Sequence, residues 1–308
     1  MKFIITVDTE ADNQWKAKDL KLDNIDYLPR FQSLCEKYEF KPTYLLSYEV
    51  VASNKIASLK KWQDNGLAEI GAHLHPWSTP PYEDNNNQKI HTYPHELENQ
   101  LLFDKLKNLT DLISQKFEQA PISFRAGRWG FADNVAKNLK LLDYKIDCSI
   151  TPKIDWSKTL GDPDKNGGPD FRFSPVVPHD LDGLLEVPMT ILFTGVCKKE
   201  NSFCSKIFLK LPDGLIKKVV NKIFFRQKWL RAFHNSNNKD WELIYNSARK
   251  NNLPVLEFMI HSSELMVGGS PYSKTEEQLE RVYKQIENMF SYFKNKGLEG
   301  CCLKDLVK

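Results

Sequence analysis

The chain has 308 residues, of which 41% are hydrophobic, so it is long enough to bury one large core or two smaller ones. Its 43 basic and 40 acidic residues give a formal net charge of +3, which argues against a general nucleic-acid-binding surface. No apolar run approaches the roughly 18 residues needed to span a bilayer, which argues against a membrane-spanning protein.

The cysteines and the first residues predict where the protein resides. Six cysteines are scattered along the chain without a CxxC pair, which favours reduced, buried thiols over a disulfide framework. The opening "MKFIITVD" has one lysine and an apolar run too short for a secretion signal. Both features predict a cytoplasmic protein.

Short apolar runs alternate with patterns of helical period along most of the chain. The predicted strands are Phe3–Val7, Thr43–Ser47, Ala68–His73, Ile122–Arg125, Tyr144–Ile150, Leu184–Pro188, Val255–Ile260 and Gly300–Leu303. The clearest helical patterns are "HELENQLLFDKLKNLTDLISQKF" and "EEQLERVYKQIENMFSYF", whose apolar residues recur at spacings of three and four. This alternation predicts parallel strands joined by helices, in an α/β barrel or an open doubly wound sheet. Without an internal repeat or a low-complexity linker, residues 1–308 are expected to form a single domain.

Two segments interrupt this alternation. Residues 157–173 are rich in Gly, Pro and Asp and are predicted to form a surface loop that closes over a substrate. Residues 205–233 form a basic insertion with eight basic residues and one acidic residue. Within this insertion, the segment "GLIKKVVNKIFFRQKWLRAF" is amphipathic. This pattern fits a helix packed on the barrel or a helix in a dimer contact. It also fits a helix that lies on a membrane surface and meets a lipid-linked glycan.

Polar residues stand at the ends of several predicted strands. Asp8 and Glu10 follow the first strand, and His73 and His75 end the third. The other residues with this placement are Arg125, Arg128, Asp147 and His261. Because the carboxyl ends of parallel strands lie on one face of an α/β fold, these side chains are expected to converge.

The residue types in this set predict a metal-dependent hydrolase. Two imidazoles and one carboxylate make a three-ligand set for Zn²⁺ or a similar divalent ion. A second carboxylate then serves as general base, and a separate histidine protonates the leaving group. Asp8 or Glu10, with His73, His75 and His261, supplies these groups, and Arg125 is suited to hold the base ionised.

Each residue alone has an ordinary structural interpretation. A strand-end Asp8 is often a helix N-cap, and the "HLH" pair is often simple polar packing. A lone His261 is more often a hydrogen-bonded core histidine. Only the combination of all these residues favours a catalytic metal site.

In these motifs the chain resembles the polysaccharide deacetylases, the NodB-homology, metal-dependent carbohydrate esterases. The motifs "VDTEAD", "EIGAHLHPW", "FRAGRWG" and "LEFMIHSSEL" occur in the order typical of that family, within residues 3–266. The resemblance implies a distorted (β/α)7 barrel that hydrolyses an N- or O-acetyl group from a sugar.

The resemblance also implies individual roles. Asp8 would be the base, Glu10 and His73 metal ligands, and His261 the acid. Arg125 would orient Asp8, and the backbone near Trp129 would contribute to an oxyanion site.

Two departures from the family pattern change these roles. The first motif usually has adjacent aspartates, whereas Thr9 separates Asp8 from Glu10, so base and ligand can exchange roles. The paired histidines are usually four residues apart, but that position holds Trp77, so His75 is the expected second ligand. The chain resembles a divergent branch, closer to cytoplasmic enzymes of surface-polysaccharide assembly than to secreted deacetylases.

Aromatic residues beyond the strand ends predict contact with a sugar substrate. Trp77, Tyr82 and Trp129 are placed to stack on sugar rings, or else to pack the loops. Together with Arg128 and Asp147, Trp77 and Trp129 form the predicted substrate-binding set.

Two other functions fit the sequence. A glycoside hydrolase on a related barrel would use Asp8 or Glu10 together with Glu186 or Glu257 and would need no metal. A carbohydrate-binding protein could keep the barrel without turnover. The presence of Asp8, Glu10, His73, His75 and His261 together argues against the second alternative.

Overall fold

The computed structural model describes residues 1–12, 21–82, 92–161 and 167–307. Its strands are β1 Lys2–Thr9, β2 Pro42–Leu46, β3 Glu69–Leu74, β4 Ser123–Ala126, β5 Ile146–Asp147, β6 His179–Leu181, β7 Leu184–Glu186, β8 Ile191–Phe193, β9 Gln227–Trp229, β10 Val255–His261 and β11 Glu299–Gly300. Its α-helices are α1 Leu28–Lys37, α2 Tyr48–Ala52, α3 Ala57–Asp64, α4 Asn99–Phe117, α5 Asp133–Leu141, α6 Phe203–Lys210, α7 Leu215–Val220, α8 Asn238–Lys250 and α9 Glu276–Asn295.

The main sheet is built from parallel strands. The strand order is β10-β1-β2-β3-β4-β5-β7, with β6 antiparallel on the outer edge of β7 and the short β11 beside the start of β1. Strands adjacent in the chain are mostly adjacent in the sheet, and helices connect several of them. All eight predicted strands are present with shifted ends, and the predicted parallel arrangement is confirmed.

The sheet curls into a half-barrel. The guanidinium of Arg125, on β4, bonds the carboxylate of Glu257, on β10, although β4 lies four places from β10 in the strand order. In a flat sheet those strands would be about 19 Å apart, at about 4.8 Å per strand. The curled sheet of seven parallel strands confirms the expected distorted (β/α)7 barrel.

Helices pack against the outer face of the sheet. The spacing predicted for α9 is confirmed, because its apolar side chains are buried together in the main core. Phe290 and Phe293 of this helix lie against Phe3 of β1, with ring centroids 5.9 and 5.0 Å away. The N-terminus of α9 is capped by Thr275, whose hydroxyl accepts from the backbone N–H of Gln278.

The basic insertion is helical only in its first two thirds. It forms α6, α7 and a π-helical turn at Asn221–Phe225, and the helical run ends at Arg226, in the left-handed conformation. The chain then enters β9, which pairs antiparallel with β8. The predicted amphipathic helix through residue 233 is therefore wrong in its last part. No sequence pattern indicated this pair of strands, because each strand is three residues long and the two are over thirty residues apart in the chain.

The predicted loop 157–173 is irregular where it is described, at residues 157–161 and 167–173, and residues 162–166 lie outside the described part. Among the described residues, no helix has the length and apolar character required to cross a membrane.

Candidate metal and catalytic site

The parallel register brings the predicted site residues together. Asp8 on β1 stands beside His261 on β10, and His73 on β3 stands beside Arg125 on β4. Glu10 and His75 follow immediately after β1 and β3. Residues from four strands thus meet at the carboxyl edge of the half-barrel, as the sequence predicts.

Glu10, His73 and His75 form a buried group that can hold a metal ion. Glu10 Oε2 lies 2.6 Å from His75 Nε2 and 3.3 Å from His73 Nε2. One potential ligand atom from each residue lies within 4.8 Å of the others. Two imidazole nitrogens and one carboxylate oxygen are a donor set typical of Zn²⁺ and related divalent ions.

The orientation of His73 fits a ligand. Its Nδ1 lies 3.0 Å from the backbone oxygen of Arg125. A carbonyl oxygen only accepts, so Nδ1 carries a proton, and Nε2 is the ring nitrogen that is directed at Glu10 and available to a metal ion. A ligating histidine is commonly held by a hydrogen bond of this kind.

His75 is oriented by packing. Its ring lies 4.4 Å from that of Trp77, and a Cβ added at Gly127 would be 2.5 Å from Nδ1. Nδ1 has no hydrogen-bond partner among the described residues. The close approach of the Gly127 backbone therefore holds the ring with Nε2 turned to Glu10.

The Glu10 carboxylate is held in its ionised form. Burial raises the pKa of Glu10, but the charge of His75 and the hydrogen bonds from His73 and His75 outweigh burial, and the pKa lies well below its usual range. An ionised carboxylate between two imidazoles is the state that a cation requires.

Arg125 holds Asp8 at the side of this group. The Arg125 guanidinium donates to Asp8 Oδ1 over 2.6 Å, and both side chains are buried. Burial raises the pKa of Asp8, but the positive charge of Arg125 outweighs it and the net pKa is lowered. The other oxygen, Oδ2, lies 4.0 Å from His73 Nε2 and 3.9 Å from His261 Nε2.

His261 is supported by two residues that the sequence prediction missed. Its Nδ1 lies 3.1 Å from the carboxylate of Glu264 and 3.3 Å from the guanidinium of Arg231, which also bonds Glu264. Its Nε2 lies 4.0 Å from Glu10 Oε1. The sequence could have indicated Glu264, because it lies three residues after His261 in "HSSEL". Nothing in the sequence of the basic insertion indicated that Arg231 contacts His261.

The proposed ligands and their polar neighbours line one cavity of about 400 Å³ with a largely aromatic wall; these polar residues are Asp8, Glu10, His73, His75, Arg231 and His261. The predicted substrate-binding residues Trp77, Arg128 and Trp129 lie on this wall. The wall also contains Trp156, Trp229 and Tyr272, which sequence reasoning missed. Arg128 and Trp129 have positive φ angles of 54° and 62°, which is strained for side chains of this size.

Three other predicted residues are placed elsewhere. Asp147 is fully buried and does not line the cavity, and its carboxylate accepts hydrogen bonds from Ser149, so it is not brought into the site. Tyr82 does not line the cavity and is half exposed. The remaining residue, Glu186, is buried beside Asp147 and accepts from the backbone N–H of Ile150.

The second carboxylate of the glycosidase alternative is likewise engaged. Glu257 is fully buried and accepts from Thr6 over 2.7 Å, in addition to Arg125. Burial raises the pKa of Glu257 although Arg125 lowers it. Neither Glu186 nor Glu257 lines the cavity, so neither is placed to act on a substrate with Asp8 or Glu10.

Comparison with known proteins identifies the fold. No protein-family model and no curated protein matches the chain. A crystal structure assigned as a polysaccharide deacetylase from Mycobacterium smegmatis matches with a TM-score of 0.51 and 12% identity, over 97% of this chain and 93% of that one.

Two further solved structures match less closely. A family 4 acetyl xylan esterase from Clostridium thermocellum, in complex with a cobalt ion, matches with a TM-score of 0.47 and 12% identity, over 99% of this chain and 90% of that one. A CE4-family pseudoenzyme from Bacillus anthracis matches with a TM-score of 0.46 and 13% identity, over 100% of this chain and 65% of that one. At the level of the fold, the predicted resemblance to polysaccharide deacetylases is confirmed by the Mycobacterium structure.

Proposed function

We propose that this protein is a metal-dependent deacetylase, which hydrolyses an N- or O-linked acetyl group on a sugar or polysaccharide precursor. One observation carries the proposal: Asp8, Glu10, His73, His75 and His261 meet in one cavity at the carboxyl edge of a half-barrel. The fold shared with the polysaccharide deacetylases supports the reaction type.

Glu10, His73 and His75 are the proposed metal ligands, and Zn²⁺ is the proposed ion. Glu10 suits this role better than Asp8, because Glu10 Oε2 is within 3.3 Å of both imidazoles whereas Asp8 is 4.0 Å from His73. When bound, the ion would polarise the acetyl carbonyl and lower the pKa of a water molecule to about 7.

Asp8 is the proposed general base. Arg125 fixes one carboxylate oxygen and keeps the group ionised, and the other oxygen faces the site. In this position Asp8 accepts a proton from the water that attacks the acetyl carbonyl. The backbone at Trp129, on the cavity wall, is the proposed contact for the oxygen that becomes negatively charged.

His261 is the proposed general acid. Glu264 and Arg231 hold its Nδ1 side, so Nε2 points towards Asp8 and Glu10. From there Nε2 donates a proton to the departing amine or alcohol of the sugar. The carboxylate of Glu264 stabilises the charged imidazole before that transfer.

The substrate is proposed to be a glycan. The tryptophan-rich wall offers flat apolar faces that pack on sugar rings, and Arg128 adds a polar contact at the rim. A cytoplasmic role in surface-polysaccharide assembly remains part of this proposal.

The test combines metal analysis with acetate release. The purified protein is analysed by mass spectrometry for bound metals, then incubated with acetylated sugar nucleotides and oligosaccharides. The expected result is acetate release that a chelator stops and Zn²⁺ restores. Release of reducing sugar without acetate, unaffected by chelator, would identify a glycosidase. A metal-loaded protein that binds the sugars without turnover would contradict the proposal in favour of a carbohydrate-binding protein.

A further inference from the structure

Exposed apolar side chains are concentrated in one lobe, residues 196–226, which contains α6, α7 and the π-helical turn. In the described part of the chain, thirteen large hydrophobic residues are exposed, and eight of them belong to this lobe. The eight are Val196, Phe203, Ile207, Leu215, Ile216, Val219, Ile223 and Phe224.

The lobe is packed around a small hydrophobic core of its own, so its exposed apolar residues lie on the surface of a folded structure. Phe208 stacks on Phe225 with ring centroids 4.1 Å apart, and both pack against Phe193 of β8. In contrast, α7 buries none of its residues. Phe203 and Leu215 are each 78% exposed, and Ile216 is 75% exposed. When this many large apolar side chains are exposed in one region, the region commonly binds a membrane or another protein.

The charge of the lobe is strongly positive. It has eight basic and two acidic residues, which leave 35 basic and 38 acidic residues in the rest of the chain. Six of the basic residues are exposed: Lys199, Lys206, Lys210, Lys218, Lys222 and Arg226. The positive charge of the whole protein is therefore located beside its exposed apolar residues.

We propose that this lobe docks the protein on an anionic lipid surface. Exposed aliphatic and aromatic side chains surrounded by lysines suit the boundary between acyl chains and negatively charged headgroups. A symmetric contact with a second copy fits less well, because it would bring two strongly positive lobes together. The chain passes from Arg226 into β9, whose Trp229 lines the catalytic cavity, so the docking lobe and the cavity wall are directly connected.

Vesicle flotation tests this proposal. The full-length protein is mixed with vesicles of phosphatidylcholine alone or of phosphatidylcholine with phosphatidylglycerol, and the floating fraction is measured. We expect wild type to float with the anionic vesicles only. Substituting Phe203→Ser, Leu215→Ser and Ile216→Ser together should lower the ratio of bound to free protein by about 100-fold or more. Substituting Lys206→Glu and Lys222→Glu together should lower it by about tenfold or more.

A matched control changes the same residue types on another exposed surface. The Leu141→Ser and Lys137→Glu double variant alters α5, where both side chains are exposed, and should float like wild type. The circular dichroism spectrum and melting temperature of each variant establish that it is folded. Vesicle binding is measured without substrate, so it is independent of acetate release.

Two outcomes would overturn the proposal. One is that wild type floats no better than the Ser-substituted variant. The other is a wild-type dimer in light scattering without lipid that becomes monomeric in the Ser-substituted variant, together with no vesicle binding, which would assign the lobe to self-association.

Discussion

Arg125 donates to Asp8 over 2.6 Å, although the two residues are 117 positions apart in the sequence. The backbone oxygen of the same residue also accepts a hydrogen bond from the Nδ1–H of His73. One residue of β4 thus positions both the proposed base and a proposed metal ligand. Its other guanidinium nitrogens bond Glu257 and the backbone oxygen of Cys148, so the group is fixed inside the half-barrel.

Replacing Asp8 by asparagine should impair turnover without removing the metal. Asn keeps the shape of the side chain but cannot accept the proton of the attacking water. We expect kcat to fall by about 100-fold or more with one equivalent of metal retained. Steady-state acetate release and metal analysis measure the two effects. The control is Asp12→Asn, since Asp12 accepts from the backbone N–H of Lys21 and does not line the cavity. Wild-type turnover in Asp8→Asn would remove the role of Asp8 as base.

Replacing His75 by alanine should abolish tight metal binding and leave the fold intact. The ring packs on Trp77 and Gly127 and lines the cavity, outside the main hydrophobic core, so its loss removes a ligand without opening that core. Calorimetric titration with Zn²⁺ measures the affinity, and circular dichroism checks the fold. His179→Ala, on the edge strand β6, is the matched control and should bind like wild type. One equivalent of tightly bound metal in His75→Ala would exclude His75 from the ligand set.

Replacing Arg125 by methionine should strongly destabilise the protein. The substitution leaves the Asp8 carboxylate buried beside Glu10 without its cationic partner. We expect the free energy of unfolding in urea to fall by about 3–5 kcal/mol. Adding Asp8→Asn should recover part of this loss, because the uncompensated charge is then removed. A loss under about 1 kcal/mol, or no recovery in the double variant, would show that the ion pair does not stabilise the fold.

Replacing Glu186 by glutamine should stabilise the protein at neutral pH. Burial and the adjacent Asp147 carboxyl raise the pKa of Glu186 well above its usual value. The folded protein therefore keeps a proton that the unfolded chain loses above a pKa of about 4.3, and stability falls as pH rises from there towards the folded pKa. Glutamine carries a permanent donor, so the variant should lose this decline.

Urea unfolding between mildly acidic and neutral pH measures this effect. Glu277→Gln, at an exposed position of α9, is the control and should leave the profile nearly unchanged. If wild type and Glu186→Gln have parallel stability profiles, the buried carboxyl pair does not hold an additional proton.

Much of the fold could be predicted because apolar periodicity reports burial directly. The apolar run from Phe3 to Val7 lies in β1. The apolar residues spaced three and four apart from Leu279 to Phe293 form the buried face of α9. Strand ends were less predictable, since β5 is limited to Ile146–Asp147 although the apolar run is longer. The β8–β9 strand pair was not predictable, because Phe193 pairs with a residue as distant in the sequence as Gln227 and no local pattern marks such a pairing.

The sequence by itself determined which chemistry is available. Asp8, Glu10, His73, His75 and His261 could be selected because parallel strands place their carboxyl ends on one edge, wherever those strands occur in the chain. Only the tertiary structure decided how they are used. Folding brings Arg231 and Glu264 to Nδ1 of His261, and it leaves Asp147 buried and off the cavity wall. Such pairings depend on the curvature of the sheet and the direction of each side chain, which arise from packing across the whole half-barrel and leave no local pattern in the sequence.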